Sequence, residues 1–309
     1  MTDTLAPPRP ASRLRQLRGV LRLVVPPLLF LAAIVALAGG GRELASYDLH
    51  VHPPLAVAAF AMLVCASAWA SVVWTFMARR FGARLGWRNG VKVYTTSNLG
   101  KYLPGKVGHV VARVYLAQER GVPLAIGTTA AAVDIVLYVG AAMVFGVLSL
   151  PLLFPAYGQA ATAVGILCIL AGLGLLHPRV LNRILGTLAR RLPGGARFHL
   201  ECGYGTILAL FAAYLVLIAL TTLGMFLAFS ALQPLSWLSI TQLGASYGVS
   251  YMAGLVFPLA PNGVGVREGV MATLLSGMMP IAVAGAASLL FRVLQVGAEA
   301  AVFLLSTRL

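Results

Sequence analysis

A chain of 309 residues with 60% apolar residues, 10% charged ones and a mean hydropathy of +0.90 carries far more apolar surface than a soluble domain of its size can hide. Its formal charge of +15 comes from basic residues crowded between apolar runs. Such residues obey a membrane-topology rule before they signal a polyanion, so nucleic acid is set aside as a partner. Cys65, Cys168 and Cys202 show no CxxC or Cys/His ligand spacing, so they are read as inert packing residues, with no disulfide, metal or cofactor expected.

In chain order the apolar runs predict six spans, near 20–40, 53–78, 124–150, 156–176, 204–230 and 280–306. The first follows Arg13, Arg15, Arg18 and Arg22 and ends in small residues, as a secretory signal does. It is read as an uncleaved span, because the other five need a first crossing to keep their charge order. Residues 178–192, "PRVLNRILGTLARRL", read as a basic amphipathic helix on the cytoplasmic leaflet, attracted to anionic inner-leaflet lipids. Two further stretches, about 90–120 and 239–278, are broken by glycine, proline and charge.

Lys and Arg placement orients the spans. Arg9, Arg13, Arg15, Arg18 and Arg22 precede the first; Arg79, Arg80, Arg84, Arg88 and Lys92 follow the second; Arg179, Arg183, Arg190, Arg191 and Arg197 follow the fourth. All three groups belong on the cytoplasmic side, and the opposite loops contain one basic residue, Arg42. Both termini are then cytoplasmic, provided that each broken stretch enters and leaves on one side. The expected fold class is an all-α polytopic membrane protein of about six full spans plus two broken re-entrant hairpins.

The two broken stretches repeat one another. "PGKVG" begins at Pro104 and "PNGVG" at Pro261, 157 residues on, and each is followed at the same distance by another proline, Pro123 and Pro280. This predicts a duplicated unit of two spans, a hairpin and one span: residues 1–155 and 156–309, within one integral membrane domain. Three crossings per unit invert the second copy, which brings one hairpin in from each face, as many secondary transporters do. Non-helical backbone at membrane depth must be buried in protein or line a wet cavity. Gly105, Gly108, Gly263 and Gly265 permit the tight turns, and Pro104 and Pro261 interrupt the entering helices. The helix leaving each turn presents its N-terminal N–H groups to an anion.

The charges sharpen that reading. Lys101, Lys106 and Arg113 surround the first turn; Asn262, Arg267 and Glu268 accompany the second; Arg292 lies well inside the last span. Charged residues at mid-membrane cost about 2.5–3.5 kcal/mol each on insertion scales, so they should face protein or water. An Asp134–Arg292 pair is expected from superposing the repeats, with an intrahelical Arg292–Glu299 pair as the alternative. Asp134 and Glu299 are thus candidates for ion pairing or coupling. Lys101 and Lys106 also fit as surface positive-inside residues, His109 as a solvated histidine, Asn98 and Asn262 as turn formers, and Trp69/Trp74 and Tyr247/Tyr251 as packing or interfacial residues.

"NLGKYLPGKVGHVVAR" at 98–113 and "FPLAPNGVGVRE" at 257–268, followed by an arginine in the last span, resemble the signature segments of the lysylphosphatidylglycerol synthase transmembrane-region, or flippase-like domain, family. The resemblance spans nearly the whole chain; His109 stands where many relatives are expected to carry an acidic residue. It implies a multi-pass protein of the bacterial inner membrane that moves a polar or phosphate-bearing lipid between leaflets, such as an aminoacylated phosphatidylglycerol or a polyprenyl-linked sugar. The chain ends at Leu309, just after the last span, so it is not expected to make lysyl-lipid itself. Three readings stand: a flippase that grips an anionic headgroup at the two turns; a membrane enzyme of lipid-phosphate metabolism, for which no metal cluster, paired carboxylates or Ser/His/Asp order is apparent; and a non-transporting partner of a synthase or glycosyltransferase. The first is preferred, with no catalytic residues assigned and the oligomeric state open.

Overall fold

The computed structural model describes residues 51–102, 108–148, 158–189, 202–256, 263 and 265–308. The expected first span, Pro104, Gly105, Lys106, Pro261 and Asn262 lie outside them. The described residues form ten α-helices: α1 (Pro53–Arg80), α2 (Trp87–Asn98), α3 (Gly108–Gln118), α4 (Leu124–Leu148), α5 (Gly158–Leu175), α6 (Pro178–Ala189), α7 (Tyr204–Ser230), α8 (Ser239–Val256), α9 (Val266–Leu275) and α10 (Ile281–Arg308), with a 3-10 turn at Leu99–Tyr102.

Length and composition make five of these helices long and apolar enough to cross a membrane: α1, α4, α5, α7 and α10. The 28 residues of α1 rise roughly 42 Å at ~1.5 Å each, more than the roughly 30 Å of a bilayer's hydrocarbon. Each begins within two residues of its expected start, and proline sets three of those starts. Pro53 opens α1, where its missing N–H would have no helical acceptor, and Pro123 and Pro280 directly precede α4 and α10. The chain is thus an all-α polytopic membrane protein.

The helices interleave rather than forming two separate lobes. α1 packs along α7 and α10, α4 lies against α8 and α7, and α2 lies against α1 and α10. Association in lipid has no hydrophobic driving force between helices, so it relies on close packing at small residues. At the α4–α8 crossing a Cβ on Gly248 would stand 2.5 Å from the carbonyl oxygen of Ala142, so the two backbones are in contact. Trp74, Tyr214, Phe229 and Tyr247 fill the interior. α5 is different: it packs against α4 and α6, and Gly165 is its one buried residue. Its exposed Val164, Ile166, Leu167 and Leu170 suit a lipid-facing helix. Cys65 and Cys168 are exposed as well, rather than packed.

Two pairs of short helices stand out from the spans. α2 packs against α3, and α8 against α9, across the two glycine- and proline-rich segments. Their boundaries keep the sequence spacing: α3 ends at Gln118 and α9 at Leu275, α4 begins at Leu124 and α10 at Ile281, each 157 residues apart. α6 is the expected amphipathic helix, with Leu181 and Leu185 buried and Arg179 and Arg183 exposed.

Candidate functional site

Both helix pairs converge on a polar cavity of about 120 Å³, lined from every described helix except α5 and α6. Ionisable and aromatic groups dominate its wall, within helices that are otherwise apolar. The sequence brings them there by helical spacing: Tyr247 and Tyr251 on α8, and Gln295 and Glu299 on α10, lie four residues apart and share a face.

On the first pair, Arg113 turns from α3 onto α2 and α4. Its Nη1 donates to Asp134 Oδ2 at 2.5 Å and its Nε to Ser97 Oγ at 3.0 Å, while the guanidinium lies 4.1 Å from the centre of the Tyr94 ring. The Tyr214 hydroxyl donates to the other oxygen of Asp134. Arg113 is only 2% exposed, and this set satisfies it with a carboxylate, a hydroxyl and a ring face. In the 3-10 turn Leu99–Tyr102, Lys101 Nζ donates to Glu299 Oε1 at 2.5 Å, and the Tyr102 hydroxyl donates to Oε2 at 3.0 Å. Gly108 sits so close to this turn that a Cβ on it would stand 3.0 Å from the carbonyl oxygen of Gly100.

On the second pair, Glu268 serves two partners. Its Oε2 accepts the Gly265 backbone N–H at 2.7 Å, closing the first turn of α9, and its Oε1 lies 3.7 Å from Arg292 Nε. Gly265 and Gly263 have φ of +84° and +68°, a left-handed backbone that glycine adopts without steric cost. Arg267 emerges two residues later. Its aliphatic stem crosses Gly254 and Gly263, and its guanidinium lies over the rings of Tyr247 and Tyr251, 5.3 Å and 5.0 Å from their centres. Tyr247 shares a 2.6 Å hydrogen bond with Tyr138. Arg267 is 6% exposed, its Nε has no hydrogen-bond partner, and among the described residues no carboxylate lies at ion-pair distance.

Of the residues singled out from sequence, Lys101, Arg113, Asp134, Arg267 and Glu299 line the cavity together. Arg292, Glu268, Gly108, Gly263 and Gly265 are not among the lining residues, and Pro104, Gly105, Lys106 and Asn262 lie outside the described residues. Pairing differs from expectation. Asp134 is held by Arg113 and Tyr214 instead of Arg292, because α3 inserts its arginine against α4. Glu299 goes to Lys101 and Tyr102 instead of Arg292, which faces Glu268. His109 is not a solvated surface residue: it lines the cavity, and its Nδ1 is buried. Tyr94, Tyr138, Tyr214 and Gly254 were not singled out at all. Tyr94 could have been found, since it precedes Tyr251 by the 157-residue spacing of the repeat; Gly254 carried no signal.

Chemically, the cavity is a small polar chamber at the meeting point of bilayer-length helices, with a buried guanidinium available to an anion. No individual curated protein matches the chain. The profile of the lysylphosphatidylglycerol synthase TM region matches residues 20–302, nearly the whole sequence. A membrane domain with a lipid-related role accords with both the apolar helices and this match, and the chain belongs to the lysylphosphatidylglycerol synthase transmembrane-region family.

Proposed function

We propose that the protein carries a phosphate-bearing polar lipid between the leaflets of a bacterial inner membrane without changing it chemically. The observation that carries this reading is Arg267: a cation buried among membrane helices, facing a cavity, with no carboxylate partner among the described residues. Burying an unpaired charge is costly, so a bound anion is the natural complement. The headgroup enters the chamber while the acyl or prenyl chains remain in lipid alongside the bundle. In this reading α2/α3 and α8/α9 are re-entrant hairpins from opposite faces, related by an inverted repeat. The 157-residue register of helix ends and of Tyr94 with Tyr251 supports that relation. Both termini lie in the cytoplasm, and α6 rests on anionic lipid of the inner leaflet through Arg179 and Arg183.

Proteoliposomes holding a fluorescent phospholipid test this directly. An impermeant reductant bleaches outer-leaflet dye only, so transport by the full chain is expected to raise the bleached share above that of empty vesicles, with unchanged lipid on chromatography. A bleached share equal to that of empty vesicles, across phospholipid and polyprenyl-phosphate probes, would refute carriage; a chemically altered lipid would point to an enzyme.

A further inference from the structure

Among the described residues, the charges lining the cavity do not cancel, and their imbalance is one. Lys101 is matched by Glu299 and Arg113 by Asp134, both at 2.5 Å, while among the described residues no carboxylate lies at ion-pair distance from Arg267. Outside the cavity wall, Arg292 faces Glu268. Counting histidine as neutral, the described wall holds three cations against two carboxylates.

The two arginines at the centre make the same comparison locally. Tyr94 and Tyr251 stand 157 residues apart, and each lies beneath a guanidinium, Arg113 at 4.1 Å and Arg267 at 5.0 Å. Beside the first, Asp134 supplies the countercharge. The residue 157 positions after Asp134 is Phe291, which packs edge-on against Tyr247 with ring centres 6.0 Å apart. An apolar ring therefore stands at that repeat position, and among the described residues no carboxylate lies at ion-pair distance from Arg267. Nearby hydroxyls add donors without adding charge. The Tyr138–Tyr247 bond uses one of the two phenolic hydrogens and leaves the other free to donate.

We infer that the cavity is matched to a singly charged phosphodiester and discriminates against a doubly charged phosphomonoester, with Arg267 as the anchoring cation. This rests on the reading of the cavity as a headgroup site, and it goes further by fixing the charge class of the headgroup. One guanidinium compensates one negative charge. A second negative charge would enter a space whose other cations are already held by carboxylates, and it would stay uncompensated in a medium that penalises bare charge.

The test compares two lipids that differ by one methyl ester, dioleoyl phosphatidylmethanol and dioleoyl phosphatidic acid, bound to the full chain in detergent at pH 8. At that pH the monoester carries close to two charges and an ordinary histidine is neutral. Native mass spectrometry is expected to show phosphatidylmethanol binding about tenfold or more tightly than phosphatidic acid, the scale of one uncompensated buried charge. Arg267→Gln should abolish that binding, and Arg267→Lys should retain most of it. Arg88→Gln, at an exposed position on α2 away from the cavity wall, should leave the ratio unchanged. Asp134→Asn, which frees Arg113 while keeping a hydrogen-bonding side chain, should raise phosphatidic acid affinity about tenfold and close the gap.

Equal or tighter binding of phosphatidic acid to the parent chain overturns the inference. So does phosphatidylmethanol binding that survives Arg267→Gln or is lost with Arg88→Gln, or an Asp134→Asn ratio equal to the parent's. Should Arg267→Gln fail to fold, the Asp134→Asn arm decides alone. Dimethyl phosphate separates the sources: if it displaces the lipid at equal concentration, the charge class stands and the ligand is a free ion, which defeats the lipid reading. Correct charge selectivity without transport in the vesicle assay would likewise defeat carriage and leave this inference standing.

Discussion

Gly254→Ala tests whether Arg267 is positioned by the fold or merely present in it. A Cβ at residue 254 would stand 2.6 Å from Arg267 Cγ, 2.9 Å from Cδ and 3.3 Å from Gly263 Cα. Contacts at the first two distances do not occur between real atoms, so something must yield. The facing backbone at Gly263 is held at φ +68°, with its own ideal Cβ direction 2.8 Å from Gly254 Cα, so it has little room to retreat. The arginine stem is the softer partner, and its displacement carries the guanidinium off the rings of Tyr247 and Tyr251. Overpacking of this kind costs about 1–3 kcal/mol, and alanine returns up to about 1 kcal/mol of helix propensity, so the net loss of stability is expected near 0–2 kcal/mol. Function should fall further. Losing about 1.4 kcal/mol of headgroup contact is tenfold in binding. Thermal unfolding in detergent and the vesicle assay read the two quantities separately. Gly285→Ala, where an added Cβ meets nothing within 4 Å, should leave both at the parent's values. A well-folded Gly254→Ala protein that binds and moves lipid at the parent rate would show that the slot does not aim the arginine.

Arg113→Ala leaves the partly buried Asp134 with the Tyr214 hydroxyl alone and should destabilise the protein by about 2–4 kcal/mol, whereas removing Asp134 as well should recover most of it; thermal unfolding of the two variants checks this. Arg292→Lys keeps the charge facing Glu268 but loses the planar fork, so transport should fall appreciably with insertion intact, while Arg292→Ala also strands Glu268 and should lower stability. Parent-rate transport by both Arg292 variants, well folded, would reduce that residue to a structural role. For topology, single cysteines near Arg84 and Arg190 should be labelled from the cytoplasm, and cysteines at 105 and 263 from opposite faces; labelling of both hairpin positions from one face alone would end the inverted arrangement.

Spans were legible because apolar length is a property of the sequence itself, and prolines at 53, 123 and 280 punctuate it. The starts of α4 and α10 followed from those prolines alone. The gathering of Lys101, Arg113, Asp134, Arg267 and Glu299 was legible for a related reason: charge inside apolar helices has few places to go but a shared polar interior. Their partners were not. Asp134 lies at a position that superposes near Arg292, yet Arg113 reaches it from α3 because the crossing of α3 on α4, set by side-chain packing, is shorter-range information than any repeat. The tyrosines were read as generic packing because a phenol in a membrane helix is common, and their role appears only once an arginine is seen over the ring.

Keeping Arg267 without a carboxylate at ion-pair distance among the described residues lowers the stability of the empty chamber. Arg113, equally buried, shows how the same fold neutralises a guanidinium when only stability is at stake: a carboxylate, a hydroxyl and a ring, all within one cluster. Arg267 has the rings and an unpartnered Nε, with no carboxylate at ion-pair distance among the described residues. A ligand that supplies the missing charge is therefore bound by the protein's own deficit, and it stabilises the bound state by RT ln(1 + [L]/Kd), about 2.7 kcal/mol at a hundredfold excess over Kd. For the proposed carrier this has a limit. The anion must also leave, so the rings and neutral hydroxyls around Arg267, which hold an anion less firmly than a second cation would, keep the site reversible.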